Sequence, residues 1–181
     1  MRHFIPTLLR LLLLTLFLTF VIHPAWYEPL LRPLAPSGAP VIYDRGSLLT
    51  LTLLHLRTVG IATVAATIIA LGLAILVTRP FGREFLPLSR SLVNIGQTFP
   101  PVAVLALAVP AFGFGEKPTL IALFLYGLLP IFENSLTGFL TLPPNVTEAA
   151  RGVGMTGFQR LLRVELPLCV PVILGGIKLT V

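Results

Sequence analysis

The sequence 148–167, EAARGVGMTGFQRLLRVELP, is a charged stretch between two long apolar segments. Its charged residues are Glu148, Arg151, Arg160, Arg163 and Glu165. Charged side chains are costly inside a bilayer, so we expect this stretch to lie outside the membrane. Gly152 and Gly154 predict a bend within it. A polar, partly helical segment of this kind is suited to contact a partner, with the rest of the chain as the membrane frame that holds it.

The composition is that of an integral membrane protein. The 181 residues are 55% hydrophobic and 11% charged, with a mean hydropathy of +0.94, whereas soluble domains carry about 25% charged residues. The net charge of +6 does not indicate nucleic-acid binding, because the basic residues are scattered singly and do not alternate with aromatic residues. Arginines at the ends of membrane spans account for the charge.

The cysteine and the histidines indicate no metal site. Cys169 is the single cysteine, so it forms no internal disulfide, and we interpret it as a small apolar residue of a span. His3, His23 and His55 lie far apart, without the spacing of metal ligands.

Residues 1–47 are predicted to form an amino-terminal transmembrane helix, at about 4–22, followed by a proline-rich external loop. Trp26 and Tyr27 then lie where aromatic side chains mark the membrane interface. A cleaved signal peptide is the alternative, because the segment starts with basic residues and is rich in leucine. No small-residue cleavage site follows Ile22, so a retained helix is favoured.

Residues 48–181 are predicted to form a transmembrane domain that is incomplete at its carboxy terminus. The apolar segments are 48–78, 91–112, 119–140 and 168–181. The first is rich in alanine and glycine, which permits close helix packing in lipid. The last is shorter than the ~20 residues that a span requires, so we expect the chain to be truncated. A basic loop at 79–90 and a tight turn at 113–118 separate the spans.

The segment 91–112 combines polar residues with prolines. Asn94, Gln97 and Thr98 precede the pair Pro100-Pro101. Proline kinks a membrane helix and frees a backbone carbonyl, which is tolerated beside protein or a water-filled cavity. These residues are therefore candidates for lining or gating a pathway. A kink satisfied by neighbouring helices is the alternative, and the two interpretations are compatible.

Glu133 lies after Pro130 in the segment 119–140. A carboxylate at this depth is costly and usually faces the protein interior. We expect a buried ion pair between Glu133 and a basic residue of an adjoining loop. Direct contact with substrate is the alternative.

The polar segment 143–167 is predicted to contain two helical pieces. Asn145 or Thr147 is expected to cap the first, with Glu148 in its first turn. The second is expected at 158–164, where apolar residues recur at helical spacing.

The distribution of basic residues predicts the topology. With the amino terminus inside, the cytoplasmic arginines are Arg2, Arg10, Arg79, Arg83, Arg90, Arg151, Arg160 and Arg163. The external basic residues are Arg32, Arg45, Arg57 and Lys117. The excess on the inner side follows the positive-inside rule, so the segment 143–167 is predicted to be cytoplasmic.

The spacing within this segment resembles the EAA loop of ABC-importer permeases. Glu148-Ala149-Ala150 is followed after three residues by Gly154, and after nine more by Val164-Glu165-Leu166-Pro167. The family pattern has isoleucine at the position of Val164. The resemblance covers about 48–181 and implies an all-α, polytopic transmembrane helical bundle of the ABC-importer permease type, in a bacterial inner membrane.

Further motifs resemble the glycine betaine/carnitine/choline permeases of osmoprotectant uptake. They are Gln97-Thr98-Phe99-Pro100, Pro110-x-x-Gly113-x-Gly115, Ala122-Leu123-x-x-Tyr126-Gly127-Leu128-Leu129-Pro130 and the run from Glu148 to Thr156. The chain departs from them at 132–135, Phe-Glu-Asn-Ser, where many relatives resemble Leu-Arg-Asn-Thr. The departure reverses a charge near one end of the fourth span.

The resemblance implies a coupling helix that docks on a separate ATPase subunit. The residues that it assigns to coupling are Glu148, Ala149, Ala150, Arg151, Gly152, Gly154, Leu166 and Pro167. It also implies an external substrate-binding protein and a second permease copy, or a related permease, around the pathway. The sequence has no phosphate-binding loop, so no cofactor is expected on this chain, and ATP and Mg²⁺ would be bound by the ATPase.

Three functional hypotheses follow. The leading one is the permease subunit of an importer for quaternary-ammonium osmoprotectants, which is not itself an enzyme. The alternative is an ABC permease for another small polar solute, such as an amino acid. A membrane enzyme or a scaffold is disfavoured, because catalytic side chains do not cluster in the spans.

Overall fold

The computed structural model describes residues 4–36, 38–43 and 45–181, with the side chains of 4–6 left out. The helices are α1 (Phe4–Ile22), α2 (Glu28–Leu31), α3 (Leu48–Thr78), α4 (Leu86–Thr98), α5 (Pro101–Phe112), α6 (Glu116–Leu140), α7 (Pro144–Gly152), α8 (Gly157–Arg160) and α9 (Leu166–Thr180). Single 3₁₀ turns lie at Pro24–Tyr27, Arg32–Leu34 and Arg83–Phe85, and a π-helical segment at Leu161–Glu165 joins α8 to α9. The described residues contain no strand, which confirms the predicted all-α fold.

The chain divides into two compact units, 1–57 and 58–181. The boundary falls inside α3, whereas the predicted boundary precedes it. In the first unit, the proline-rich segment is partly helical: short helical turns at 24–34 bend by 112° from α1. The hydroxyls of Thr19 and Tyr27 lie 2.5 Å apart, which ties these turns back to α1.

Two helices, α3 and α6, are long and apolar enough to cross a membrane. Two further candidates are bent helix pairs, α1 with the turns at 24–34 and α4 with α5, which bring the number among the described residues to four if each pair is one span. Both α3 and α6 occur where the sequence predicts spans. However, α6 begins at Glu116 rather than at Thr119. The residues predicted to form a tight turn there therefore belong partly to its first helical turn, where the hydroxyl of Thr58 donates to the Glu116 carboxylate at 3.1 Å.

The predicted third span, 91–112, is wrong as a single kinked helix, because α4 and α5 meet at 90°. A residue that precedes proline is pushed out of the helical region. Phe99 and Pro100 both precede a proline, and both have extended backbone, with ψ of 138° and 139°. Two consecutive extended residues break the helix instead of bending it. The predicted basic loop is also shorter than expected, since Arg90 lies inside α4.

The second unit is organised around α6, which contacts α4, α5 and α9. Small residues permit these approaches, as expected for helices in lipid. On α3, Ala66, Ala70 and Ala74 recur every fourth residue and are fully buried. A methyl group added to Gly127 of α6 would lie 3.3 Å from the Cβ of Ala66. The core therefore depends on backbone proximity more than on large side chains.

Candidate functional site

The segment 143–167 folds as two helices joined by a tight turn. Helix α7 begins at Pro144, without a side-chain cap. The predicted caps are wrong: the Thr147 hydroxyl instead donates to the Pro144 carbonyl at 2.8 Å. Glu148 lies beyond the first turn. Proline at the first helical position has the required φ, and its missing N–H is one that the helix would leave unpaired. The Val146 N–H donates to the Pro143 carbonyl at 3.1 Å rather than to a side chain.

Gly154 closes the turn that follows α7. Its φ is +79°, a value that residues with a side chain rarely adopt. Its N–H donates to the Arg151 carbonyl at 2.9 Å, and the N–H of Met155 donates to the Ala150 carbonyl at 3.1 Å. These two bonds define a Schellman motif, which ends a helix on a glycine. The expected bend is therefore made by Gly154, whereas Gly152 is the last residue of α7.

Thr156 starts α8 with a capping box that the sequence interpretation missed. Its hydroxyl accepts from the Gln159 N–H at 3.2 Å, and the Gln159 side chain accepts from the Thr156 N–H at 3.0 Å. Threonine followed three residues later by glutamine is the known sequence signal for this motif. The cap fixes the direction in which the chain leaves the turn.

The second helical piece does not end at 164, as predicted, but continues through the π-helical segment into α9. The Leu166 N–H bonds to the Leu161 carbonyl, five residues back. Pro167 follows at once, and its ring would clash with the Arg163 carbonyl in a regular α-helix. A wider turn relieves this clash. Such π-turns are frequent at functional sites.

The π-helical segment turns the carboxylate of Glu165 into the protein, between two arginines. The Arg79 guanidinium lies 2.5 Å from one carboxylate oxygen, and the Arg160 Nε lies 2.7 Å from the other. The side chains of Glu165, Arg79 and Arg160 are 6%, 17% and 16% exposed. We call these three residues the arginine–glutamate triad. Burial raises the pKa of Glu165, but the hydrogen bonds and the charge attraction of Arg79 and Arg160 together outweigh it and lower that pKa below its ordinary value.

The triad joins the end of α3 to the segment 143–167. Arg79 follows the last residue of α3 and is separated from Glu165 by 86 positions in the sequence. The Arg79 guanidinium also lies 5.8 Å from the centre of the Phe139 ring of α6. The sequence interpretation missed this role of Glu165, since local spacing carries no sign of a partner so far away.

The residues assigned to coupling divide between an outward and an inward face. Glu148 and Ala149 are exposed, whereas Ala150 is 5% exposed. Helix α7 contacts the π-helical segment. An apolar groove of about 420 Å³ runs beside α7. Its lining residues are Asn145, Val146, Ala149, Ala150, Val153, Met155 and Val164. Leu166 and Pro167 form the first turn of α9.

Gln97 has a defined structural partner. Pro130 of α6 lacks an N–H, so it leaves the Tyr126 carbonyl, four residues earlier, without its helical donor. The Gln97 side chain of α4 donates to that carbonyl at 2.9 Å. Pro130 thus frees an acceptor in α6, and a side chain of the neighbouring helix α4 satisfies it. Lining or gating by the cluster stays a prediction.

Glu133 pairs with Arg90 of α4 through two contacts, of 3.0 and 3.3 Å. The Arg90 and Glu133 side chains are 51% and 38% exposed, so in this chain the pair is not buried as predicted. The pair borders a cleft of about 430 Å³ that Asn94 also lines. Thr98 donates back to the Asn94 carbonyl at 3.0 Å, and Pro100 and Pro101 lie at the exposed break between α4 and α5.

Metal ligands do not cluster anywhere in the described part of the chain. Cys169 is a buried free thiol that packs beside Gly138 of α6.

Comparison with known proteins places the chain in one family. Residues 67–181 match the family described as binding-protein-dependent transport system inner membrane component. The chain is 42% identical over 125 residues to the osmoprotectant import permease protein OsmY of Salmonella typhimurium, covering 69% of this chain and 53% of that protein. It is 39% identical over 145 residues to the glycine betaine/carnitine/choline transport system permease protein OpuCB of Bacillus subtilis, covering 80% of this chain and 63% of the relative.

A third relative, the choline transport system permease protein OpuBB of Bacillus subtilis, is 38% identical over 133 residues, which cover 74% of this chain and 60% of the relative. The chain therefore spans between about half and two thirds of the length of these relatives. Its family match covers the whole second half, including α6, the helix–turn–helix segment and the triad. The chain belongs to the family of inner membrane components of binding-protein-dependent transport systems.

Proposed function

We propose that this chain is the permease subunit of an ATP-driven importer for quaternary-ammonium osmoprotectants of the glycine betaine, choline or carnitine type. The observation that carries the proposal is the helix–turn–helix segment 143–167. The turn that Gly154 closes leaves one face of α7 exposed. The ion pairs of the triad connect the segment to the end of α3. The names of the relatives supply the solute class.

The exposed face of α7 is the proposed contact with a separate ATPase subunit. Glu148 and Ala149 are exposed and belong to the part of the pattern that the resemblance assigns to coupling. Because Glu165 and Arg79 form a buried ion pair, a displacement of α7 would be transmitted to α3. On this proposal ATP and Mg²⁺ are bound by the ATPase, and this chain contributes the movement of its helices.

The remaining partners follow from the same proposal. A binding protein outside the membrane would deliver the solute, and a second permease copy, or a related permease, would complete the pathway. The amino terminus and the segment 143–167 would face the cytoplasm. Residues 48–181 would form the permease domain, preceded by the helix and loop of 1–47. The proposed pathway residues are Asn94, Gln97, Thr98, Pro100 and Pro101.

Solute uptake in reconstituted vesicles tests the proposal. The full-length permease, its ATPase and its binding protein would be assembled in liposomes, and ATP-dependent uptake of labelled glycine betaine and choline would be compared with uptake of labelled amino acids. Uptake of the quaternary-ammonium solutes alone supports the proposed solute class. Uptake of amino acids alone would instead establish the alternative solute.

The variant Gly154→Asp tests the role of the segment in the same vesicles. Aspartate adopts the positive φ of Gly154 less readily than glycine does and also adds a charge to the turn, so we expect uptake and ATPase stimulation to fall together. Gly157→Asp is the matched control for added charge, because Gly157 has no positive φ, has open space around it and is not among the residues assigned to coupling. Uptake that is unchanged in Gly154→Asp would contradict a coupling role for this segment.

A further inference from the structure

A basic cleft of about 160 Å³ lies beside the triad, at the end of α3. We call it the arginine cleft. The charged residues that line it are Arg79, Arg83, Arg151, Arg160 and Glu165. One carboxylate thus faces four guanidinium groups, so the cleft is strongly positive. It is distinct from the cleft beside the Arg90–Glu133 pair and from the apolar groove beside α7.

The arginine cleft retains unused hydrogen-bond donors. A guanidinium has five N–H donors, and Glu165 engages only some of those of Arg79 and Arg160. The Arg79 Nε is buried without a hydrogen-bond partner. Among the described residues, Arg83 and Arg151 have no ion-pair partner. Buried donors are normally satisfied, so the Arg79 Nε calls for a partner that the described residues do not supply. Arg83 and Arg151 are exposed, so their guanidinium groups are accessible to an anion from outside the chain.

The planar fork of arginine matches the oxygens of a phosphate group, which it binds through paired hydrogen bonds. The cleft gathers such forks from three directions. Arg79 and Arg83 follow α3, Arg151 belongs to α7, and Arg160 belongs to α8. A phosphate group held here would therefore bridge the end of a membrane helix and the segment 143–167.

The surroundings favour a lipid as the source of that phosphate. The cleft lies where α3 and α6 both end, since Thr78, Phe139 and Leu142 line it. Two phenylalanines flank Arg83 in the sequence, and they are 74% (Phe81) and 51% (Phe85) exposed. Exposed aromatic residues at the end of a membrane helix are suited to contact acyl chains. Basic pockets at the cytoplasmic ends of membrane helices are known to bind anionic headgroups.

We propose that the arginine cleft binds the phosphate group of an anionic phospholipid. The inference rests on the charge, the free donors and the position of the cleft, and it does not depend on which solute is transported. Inorganic phosphate presents the same chemistry without acyl chains. A carboxylate of the ATPase subunit is a different kind of occupant, and the experiment separates both from a lipid.

Native mass spectrometry of the purified full-length importer tests the proposal. Phosphatidylglycerol, or phosphatidylcholine as a zwitterionic reference, would be titrated into the complex in detergent, with and without inorganic phosphate. The variants are Arg83→Gln and Arg151→Gln, which change two separate elements and break no ion pair among the described residues. Arg163→Gln is the matched control, because Arg163 is exposed and does not line the cleft.

We expect preferential retention of phosphatidylglycerol, weakened about tenfold by either cleft variant, since a hydrogen bond to a charged group contributes roughly that factor. Arg163→Gln should bind as the wild type does. Equal retention in all variants would overturn the proposal. So would displacement of the lipid by inorganic phosphate at equal concentration, or lipid binding that occurs only after removal of the ATPase. If Arg83→Gln fails to assemble, Arg151→Gln decides the outcome.

Discussion

At the scale of single residues, the turn after α7 requires a glycine at position 154 but not at position 152. Both glycines have open space where a side chain would lie, so steric contact does not distinguish them. The backbone does: only Gly154 has a positive φ, of +79°. This difference explains why a fixed glycine belongs at this position of the EAA pattern.

We predict that Gly154→Ala destabilises the protein by about 1–2 kcal/mol, the cost of placing a side chain in the left-handed region. Gly152→Ala should be neutral or stabilising by about 0.4–1 kcal/mol, because alanine restricts the unfolded chain without straining α7. Thermal unfolding of the two variants in one detergent measures the contrast. Equal destabilisation by both would contradict the Schellman motif.

Gln97 illustrates how a polar residue in a membrane helix can serve the backbone of its neighbour. Its side chain satisfies the Tyr126 carbonyl that Pro130 leaves free. We predict that Gln97→Met, which keeps the length of the side chain and removes the donor, costs about 0.5–1.5 kcal/mol, the usual contribution of one hydrogen bond.

Asn94→Leu is the control for Gln97→Met, because Asn94 is exposed on the same helix and uses only its backbone carbonyl in the structure. Unfolding in detergent should separate the two variants. If Gln97→Met keeps wild-type stability and changes only uptake, then the pathway role of Gln97 would account for it better than the bond to Tyr126.

At the scale of elements, the π-helical segment that precedes Pro167 places Glu165 in a buried ion pair. Pro167 disfavours a regular α-turn before it, and the wider turn directs Glu165 toward Arg79 and Arg160. The pattern Val164-Glu165-Leu166-Pro167 thus combines a proline that widens the helix with a carboxylate that uses the resulting geometry. Burial of charge alone does not guarantee net stability, but removing one partner of a buried pair is costly.

We predict that Glu165→Gln destabilises the protein by at most about 3–5 kcal/mol, because it leaves two arginines without their counter-charge. The value is an upper bound, since Arg79 and Arg160 remain 17% and 16% exposed. Glu148→Gln, on the exposed face of α7, should stay within about 0.5 kcal/mol of wild type.

The pH dependence of this variant follows from the lowered pKa of Glu165. A carboxyl whose pKa is lower in the folded state binds its proton more readily when unfolded, so acid destabilises the fold. The contribution of Glu165 is complete above the ordinary carboxyl pKa and is lost as the pH falls through the lowered folded-state pKa. The stability gap between wild type and Glu165→Gln should therefore be constant near neutral pH and narrow in acid. A gap that widens in acid would contradict the triad.

Elements could be predicted from the sequence where the signal is local. Hydropathy located α3 and α6, and the EAA spacing located the turn at Gly154. The break between α4 and α5 was predicted only as a kink, because one proline bends a helix, whereas Phe99 and Pro100 are both constrained by the proline that follows. The triad was not predicted, since pairing of Arg79 with Glu165 depends on how the ends of α3 and α9 are brought together.

At the scale of the whole molecule, the second unit is held together by close approach of helix backbones around α6. Glycines on both sides of the α6–α9 contact make this approach possible. A methyl group added to Gly176 of α9 would lie 2.7 Å from the Pro130 carbonyl oxygen and 2.8 Å from the Asn134 Cβ of α6. The neighbouring Gly175 would meet only the Asn134 side-chain oxygen, at 3.7 Å.

We therefore predict that Gly176→Ala destabilises the protein by about 1–3 kcal/mol, the usual cost of overpacking. The atoms that it would meet most closely belong to the backbone and Cβ of α6 and cannot rotate away. Gly175→Ala should be neutral or stabilising by about 0.5–1 kcal/mol, because alanine favours a helix interior over glycine. Unfolding in detergent measures both. Because α9 continues the helix that carries Glu165, Gly176→Ala should also reduce solute uptake, whereas equal behaviour of the two variants would exclude backbone contact between α6 and α9 as the basis of the bundle.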